Sequence, residues 1–192
     1  MSSIKLKHSG GNSVIIAAPS SNPASDRTLT LPGDADGTIL TSNTATGKIL
    51  QVKSITKTNQ SQTSSTSFVD ISNLSIDITA ASSSNKMLVT VHVFASCNDA
   101  AILRLMFDST PVGNGGENTD EFEGFAMVRQ SGNNLGSGYG IQILHTPGNT
   151  SSHTYKVQAR TTAASYPLSI NRRGSSFHYS LASSITVEEV AA

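Results

Sequence analysis

The sequence predicts an all-β protein, and three observations predict it. Apolar and polar residues alternate with a period of two in segment after segment, while the 3.6-residue spacing of an amphipathic helix is nearly absent. Serine, threonine and asparagine fill 64 of the 192 positions, and only 14% of residues are charged, so the solvated faces are built from small hydroxyl and amide groups. Threonine suits a pleated strand, and serine and asparagine suit turns and compete with helical backbone. Glycine, proline, asparagine and aspartate clusters cut the chain at short intervals, as strand connections require. The expected architecture is an extended N-terminal β arm over residues 1–48, followed by one antiparallel β-sandwich of jelly-roll type over residues 49–192. A chain of this length has room for one core of ordinary size plus an extension.

The arm reads as strand pieces at residues 4–8, 14–17, 27–31 and 38–41, separated by Gly10-Gly11, by residues 19–26 and by Pro32-Gly33-Asp34-Ala35-Asp36-Gly37. Such pieces are too short to build a core, and their few apolar side chains, Leu29, Leu31, Ile39 and Leu40, call for copies of themselves in neighbouring subunits. Residues 56–66 contain only one lysine among polar uncharged side chains and read as a loop or a solvated edge. Beyond them Leu74, Ile76 and Ile78 alternate with polar residues. In the next run Met87, Val89, Val91 and Val93 form one face and Leu88, Thr90, His92 and Phe94 the other, which predicts a central strand covered on both sides. Residues 102–107 form another dense run that ends in the turn Asp108-Ser-Thr-Pro. Further strands are expected at 122–129, 139–145, 153–160, 167–171 and 183–190, for eight to ten strands from Ile49 onward.

Thirteen basic and thirteen acidic residues cancel, so no broad positive field is present to displace counterions from nucleic acid. Cys97, the one cysteine, cannot form an internal disulfide and reads as a buried thiol. No apolar stretch approaches the roughly 20 residues of a membrane-crossing helix, and the N-terminus lacks the apolar core of a signal peptide, so synthesis in a cytoplasm without membrane insertion is expected.

Residues that carry chemistry are sparse. His8, His92, His145, His153 and His178 lack metal-ligand spacing, although His145 and His153 stand to face each other across a hairpin closed by Thr146-Pro-Gly-Asn-Thr. Asp108, Glu117, Asp120, Glu121 and Glu123 fall in a segment without lysine or arginine, but the ordered calcium-loop pattern is missing, and a solvated loop is the plainer reading. The glycine-containing loops do not open helices, and no nucleophile elbow occurs. No cofactor, metal or enzymatic activity is expected. Asn133, Asn134, Tyr139, Arg172 and Arg173 offer planar hydrogen-bonding groups suited to polar recognition, with Arg172 and Arg173 equally suited to an ion pair with a neighbouring subunit.

At the N-terminus, Ile4-Lys-Leu-Lys-His, Gly11-Asn-Ser-Val-Ile-Ile-Ala-Ala-Pro, Arg27-Thr-Leu-Thr-Leu-Pro and Asp36-Gly-Thr-Ile-Leu-Thr resemble a module of tail-fibre and other appendage proteins of marine bacteriophages, cyanophages in particular. The later segments Ile49-Leu-Gln-Val, Ser67-Phe-Val-Asp-Ile, Leu74-Ser-Ile-Asp-Ile, Ser84-Asn-Lys-Met-Leu-Val, Leu103-Arg-Leu, Thr110-Pro-Val-Gly, His153-Thr-Tyr-Lys-Val-Gln and Ser184-Ile-Thr-Val-Glu-Glu-Val are similar to the same group. Their shared order over most of the chain carries the resemblance. Glu188 departs from it, standing where methionine, leucine or tyrosine is usual.

The resemblance implies a virion structural protein and homotrimer, with Ile4, Leu6, Leu29 and Leu31 in the arm that attaches it to other virion proteins, and a sandwich turned outward to a host-surface glycan or protein. Two placements follow, a tail-fibre or appendage head and a capsid decoration or head-fibre protein. A polysaccharide depolymerase is the reading from another class, resting on paired carboxylates such as Asp120 and Glu123. The absence of tryptophan furnishes it poorly with sugar-stacking groups.

Overall fold

The structure, a computed structural model, describes residues 3–7, 9–17, 21, 48–115, 123–130, 135–173 and 181–192. Among them are thirteen strands and no helix. The chain divides into two compact units, residues 1–43 and 44–192. In the first unit β1 (Ser3–Lys7) pairs antiparallel with β2 (Ser13–Ala17), Ile4 lying opposite Ile16. Gly11, with φ of 100°, lies in the connection, where the left-handed region suits a residue without Cβ. The strands expected at 27–31 and 38–41 lie outside the described residues, as do Leu29 and Leu31.

The second unit carries β3 (Ile49–Lys57), β4 (Ser61–Thr63), β5 (Val69–Thr79), β6 (Lys86–Ser96), β7 (Ala101–Phe107), β8 (Thr110–Val112), β9 (Ala126–Val128), β10 (Ser137–His145), β11 (Ser152–Thr161), β12 (Leu168–Ile170) and β13 (Ser183–Val190). One antiparallel sheet runs β10-β6-β13-β3; β12 takes over from β13 along the end of β6, and β4 pairs with β12. The other sheet runs β5-β11-β7, with β8 and β9 sharing the far edge of β7.

Period-two alternation puts one face of each sheet into a common core. Met87, Val89, Val91, Val93, Ile185 and Val187 from the first sheet meet Leu74, Ile76, Ile78, Leu103, Leu105, Tyr155 and Val157 from the second, all buried. Each such aliphatic side chain contributes about 1.5–3 kcal/mol of transfer free energy on burial. Cys97 is buried and free, and burial pushes its thiol pKa up.

Four expectations need revision. The polar stretch 56–66 is neither wholly loop nor one edge: β3 continues to Lys57 and β4 forms a separate short edge strand. The strand expected over 122–129 contracts to β9 at the edge of β7. On β6 the Met87–Val93 face is buried, but Thr90 and His92 on the opposite face are exposed in the single chain, with Leu88 and Phe94 half-buried. Finally, His145 and His153 do not face each other across a hairpin, because β10 belongs to the first sheet and β11 to the second, so the turn between them crosses the sandwich.

One irregularity shapes the gap between β3 and β5, which are the neighbouring edges of the two sheets. In β5 the register jumps, Ser75 facing Lys156 and Asp70 facing Gln158. Asn73 at the centre of this bulge has φ of 62°, a conformation that asparagine tolerates better than most residues. The bulge turns both Ile71 and Leu74 to the core, although a regular strand would set them on opposite faces. Side chains of β3 then stitch the edges together: Gln51 Nε2 donates to the Thr79 carbonyl at 2.7 Å, Lys53 Nζ to the Asp77 carbonyl at 2.7 Å, and Lys57 Nζ approaches Ser72 Oγ at 3.5 Å.

Candidate functional site

The sandwich has two unlike ends. At one, the chain enters at Lys48, whose carbonyl accepts the Ala191 N–H at 2.9 Å, beside the tight 80–85, 108–109 and 146–151 turns. At the other lie the 97–100 and 162–167 connections and the residues that bound the longer 129–136 and 171–182 segments. The Gln130 N–H bonded to the Cys97 carbonyl, the Asn171 N–H to that of Phe94 and Cys97 Sγ to that of Tyr166 gather these connections together.

The entry end holds a cluster of titratable side chains. Asp108, in the β7–β8 turn with φ of 53°, accepts the Thr154 N–H on Oδ1 at 2.8 Å and the His153 ring on Oδ2 at 2.7 Å. His153 Nε2 lies 2.8 Å from Asn149 Oδ1, which also receives the Ser151 N–H. Asp108 and Asn149 are each held by a backbone donor, Thr154 and Ser151, so the two together fix the orientation of the ring. The Thr154 N–H, and after it His153, hold the Asp108 carboxyl below the usual carboxylate range.

Behind this pair His145 Nδ1 and the Tyr155 hydroxyl share a 2.7 Å hydrogen bond. The Phe107 ring packs against all three, its centroid 4.5 Å from His145, 4.5 Å from His153 and 5.2 Å from Tyr155. Burial, and then the neighbouring His153, lower the His145 pKa; burial, and then Asp108, raise that of Tyr155. Among the described residues, the hydrogen-bond partners of the His153 ring are Asp108 and Asn149. These bonds clasp the β7–β8 turn to β11 and to the crossing turn. Among the described residues no three His, Cys, Asp or Glu side chains are grouped to hold a metal ion. Glu117, Asp120 and Glu121 lie outside the described residues.

Glu189 forms a second polar centre at the same end. Its fully buried carboxylate accepts from the Ala81 N–H and Asn85 Nδ2 on Oε1, both at 2.6 Å, and from Gln51 Nε2 on Oε2 at 2.6 Å. Burial pushes this carboxyl up, but the bonds from Asn85, Gln51 and the backbone of Ala81 and Ser82 outweigh it and hold the pKa below its ordinary value.

Of the residues singled out for recognition, Asn133 and Asn134 lie outside the described residues. Arg172 and Arg173, both half-buried, follow β12 at the end away from Lys48, and Arg172 Nε donates to Ser169 Oγ at 3.3 Å. Tyr139 belongs to no loop: it sits in β10 opposite Val93, half-buried against the core. In the first unit Leu6 is 58% exposed opposite Val14. Sequence reasoning passed over Leu135, Tyr166 and Leu181, all exposed at the end away from Lys48. Tyr166, in Ser165-Tyr166-Pro167, carried the readable signal, an aromatic in a polar connection just before proline.

Two further surfaces lie along the sheets. A groove of about 510 Å3 beside the bulge is lined by Thr56, Thr58, Asn59, Asn73 and Ser75 above Lys57, whose desolvated ammonium has a lowered pKa and donates to Asn59 Oδ1 at 2.9 Å. On the outer face of the β5-β11-β7 sheet, the Arg104 guanidinium lies 3.6 Å from the Phe68 ring centroid and donates to Gln158 Oε1. Gln158 Nε2 in turn donates to Asp70, which also pairs with Lys156 Nζ at 2.9 Å. These charges satisfy one another within a solvated face. Compared with protein-family models and with curated proteins, the chain matches none.

Proposed function

We propose that this chain is a non-enzymatic structural protein of a bacteriophage particle, a trimeric appendage head whose N-terminal residues attach to other virion proteins and whose loops meet a host surface. The observation that carries this reading is the polarity of the sandwich. Short turns, the buried Glu189 centre and the Asp108–His153 clasp fix the end where the chain enters at Lys48, while exposed Tyr166, Leu135 and Leu181 and half-buried Arg172 and Arg173 lie at the opposite end. A head that is anchored at one end and recognises a surface at the other needs this division, because a rigid scaffold lets the connections it positions carry specificity. The ordered resemblance to marine-phage appendage proteins supplies the particle. Three weak sites on one rigid head, repeated around a particle, bind by avidity without strong individual contacts.

Mass photometry of the full chain at micromolar concentration tests the trimer: three chains of 20.0 kDa are expected, and a stable single chain overturns it. Gold-labelled antibody against the chain on intact particles tests the virion assignment, which an unlabelled particle overturns. Copy number then separates the two placements, a few trimers marking a tail appendage and many tens a capsid decoration or head fibre. Incubation with host polysaccharide addresses the depolymerase reading, and shortened chains would overturn the non-enzymatic one.

A further inference from the structure

We infer that the outer face of the β10-β6-β13-β3 sheet is the surface on which another copy of this chain packs. The inference rests on the oligomeric reading above and names the face that reading leaves open. Strand register sets the rows of this face. Leu144, Leu88, Glu188 and Val52 form one row, Gln142, Thr90, Thr186 and Ser54 the next, and Gly140, His92, Ser184 and Thr56 the third. Leu144 and Val52 are 56% and 55% exposed in the single chain.

Four properties of the face fit burial against protein. First, it is flat. Gly138 and Gly140 contribute no side chain, and the rings of His92 and Phe94 lie across the backbone of β10: a Cβ on Gly138 would stand 2.7 Å from His92 Nε2, and one on Gly136 would strike the Phe94 ring. Second, its central polar row is already bonded in plane, Gln142 Nε2 donating to Thr90 Oγ1 at 3.0 Å and Ser54 Oγ lying 2.8 Å from Thr186 Oγ1. Polar groups so paired lose little when water leaves.

Third, the face is nearly free of charge. Along these strands Lys86 and Glu188 are its charged side chains, close together at one end and opposite in sign, so two copies meet without an excess of like charge. The outer face of the β5-β11-β7 sheet contrasts with it, carrying Asp70, Asp77, Lys156, Arg104 and Arg160. Fourth, the size is sufficient: four strands of about nine residues span about 19 by 30 Å at ordinary strand spacing, roughly 570 Å2 in plan, above the ~500 Å2 per partner at which a specific interface begins. In a closed threefold ring each chain touches two neighbours through a heterologous contact, so this face packs against a different surface of the adjoining copy.

The test uses the full chain and exposed positions. Thr90→Lys and Leu144→Lys place a charge within the face, while Ser75→Lys does so on the outer side of β5. Sedimentation velocity is expected to show wild type and S75K as trimers and T90K and L144K as single chains, with association weakened about tenfold or more. A T90K and an L144K that both sediment as wild-type trimers overturn the face while the trimer stands. A monomeric wild type overturns both. Should either variant fail to fold, carbene footprinting of wild type decides, because Leu144 and Leu135 are equally exposed in the single chain, each at 56%. Protection of Leu144 relative to Leu135 is expected, and equal labelling overturns the inference.

Discussion

Glu189 and Asp108 show how single carboxylates hold the entry end together. Each titrates lower in the folded chain than in the unfolded one. The stability each contributes is therefore complete above the ordinary carboxylate range, near pH 4, and is lost as pH falls through the folded value. Thermal melts should show the midpoint steady from pH 7 to about 5 and falling below about 4, with a shallower acid fall in Asp108→Asn. Asparagine is the informative substitute because it tolerates the positive φ at that turn. Glu189→Gln should cost about 1–3 kcal/mol at pH 7, read as a lower urea midpoint, because an amide NH2 would face donors from Ala81 or Gln51. Neither role was legible in the sequence. Glu189 stood in an alternating strand without any sign that Gln51 and Asn85, far away in the chain, would converge on it, and Asp108 was counted with an acidic loop rather than with His153.

At the level of elements, alternation was the legible signal, and β13 fell where it was expected, at Ser183–Val190. The pattern from Ile71 to Leu74 breaks period two, and the break records a physical event, the bulge at Asn73 that returns both side chains to the core. Asn73→Gly should leave the chemical-denaturation midpoint near wild type, whereas Asn73→Val should lower stability by about 1–3 kcal/mol, since a β-branched residue is strained in the left-handed region. Gly124 makes a second local demand. A Cβ there would run into the Leu103 carbonyl oxygen and the Ile102 side chain, so Gly124→Ala should destabilise by about 1–3 kcal/mol in the same assay. What alternation does not encode is the partner of each strand. His145 and His153 are eight residues apart around a proline–glycine turn, the local signature of a hairpin, yet they end on different sheets, each packing on Phe107.

For the molecule as a whole, the buried apolar core lies between Ile71 and Val187, entirely within the second unit. A fragment of residues 44–192 should therefore melt cooperatively with the β-sheet circular dichroism of the full chain, and a fragment that fails to fold would show that the first unit contributes to the core. Composition made the all-β class and the polar surface legible, because small hydroxyl and amide side chains on alternating strands leave few other folds open. It was silent about which sheet face stays uncovered: Leu88, Thr90, His92 and Phe94 were expected to be covered on β6, and only the paired geometry of its neighbours shows that face open in one chain.

The seam between β3 and β5 carries one more consequence. Each strand has a backbone ladder on one side only, and across the gap Gln51 and Lys53 reach carbonyls while the amide hydrogens on that side gain no ladder partner. In heavy water the two strands should thus exchange every second amide early and retain the alternate ones, a rhythm of deuterium uptake that neither β6 nor β11, laddered on both sides, would display.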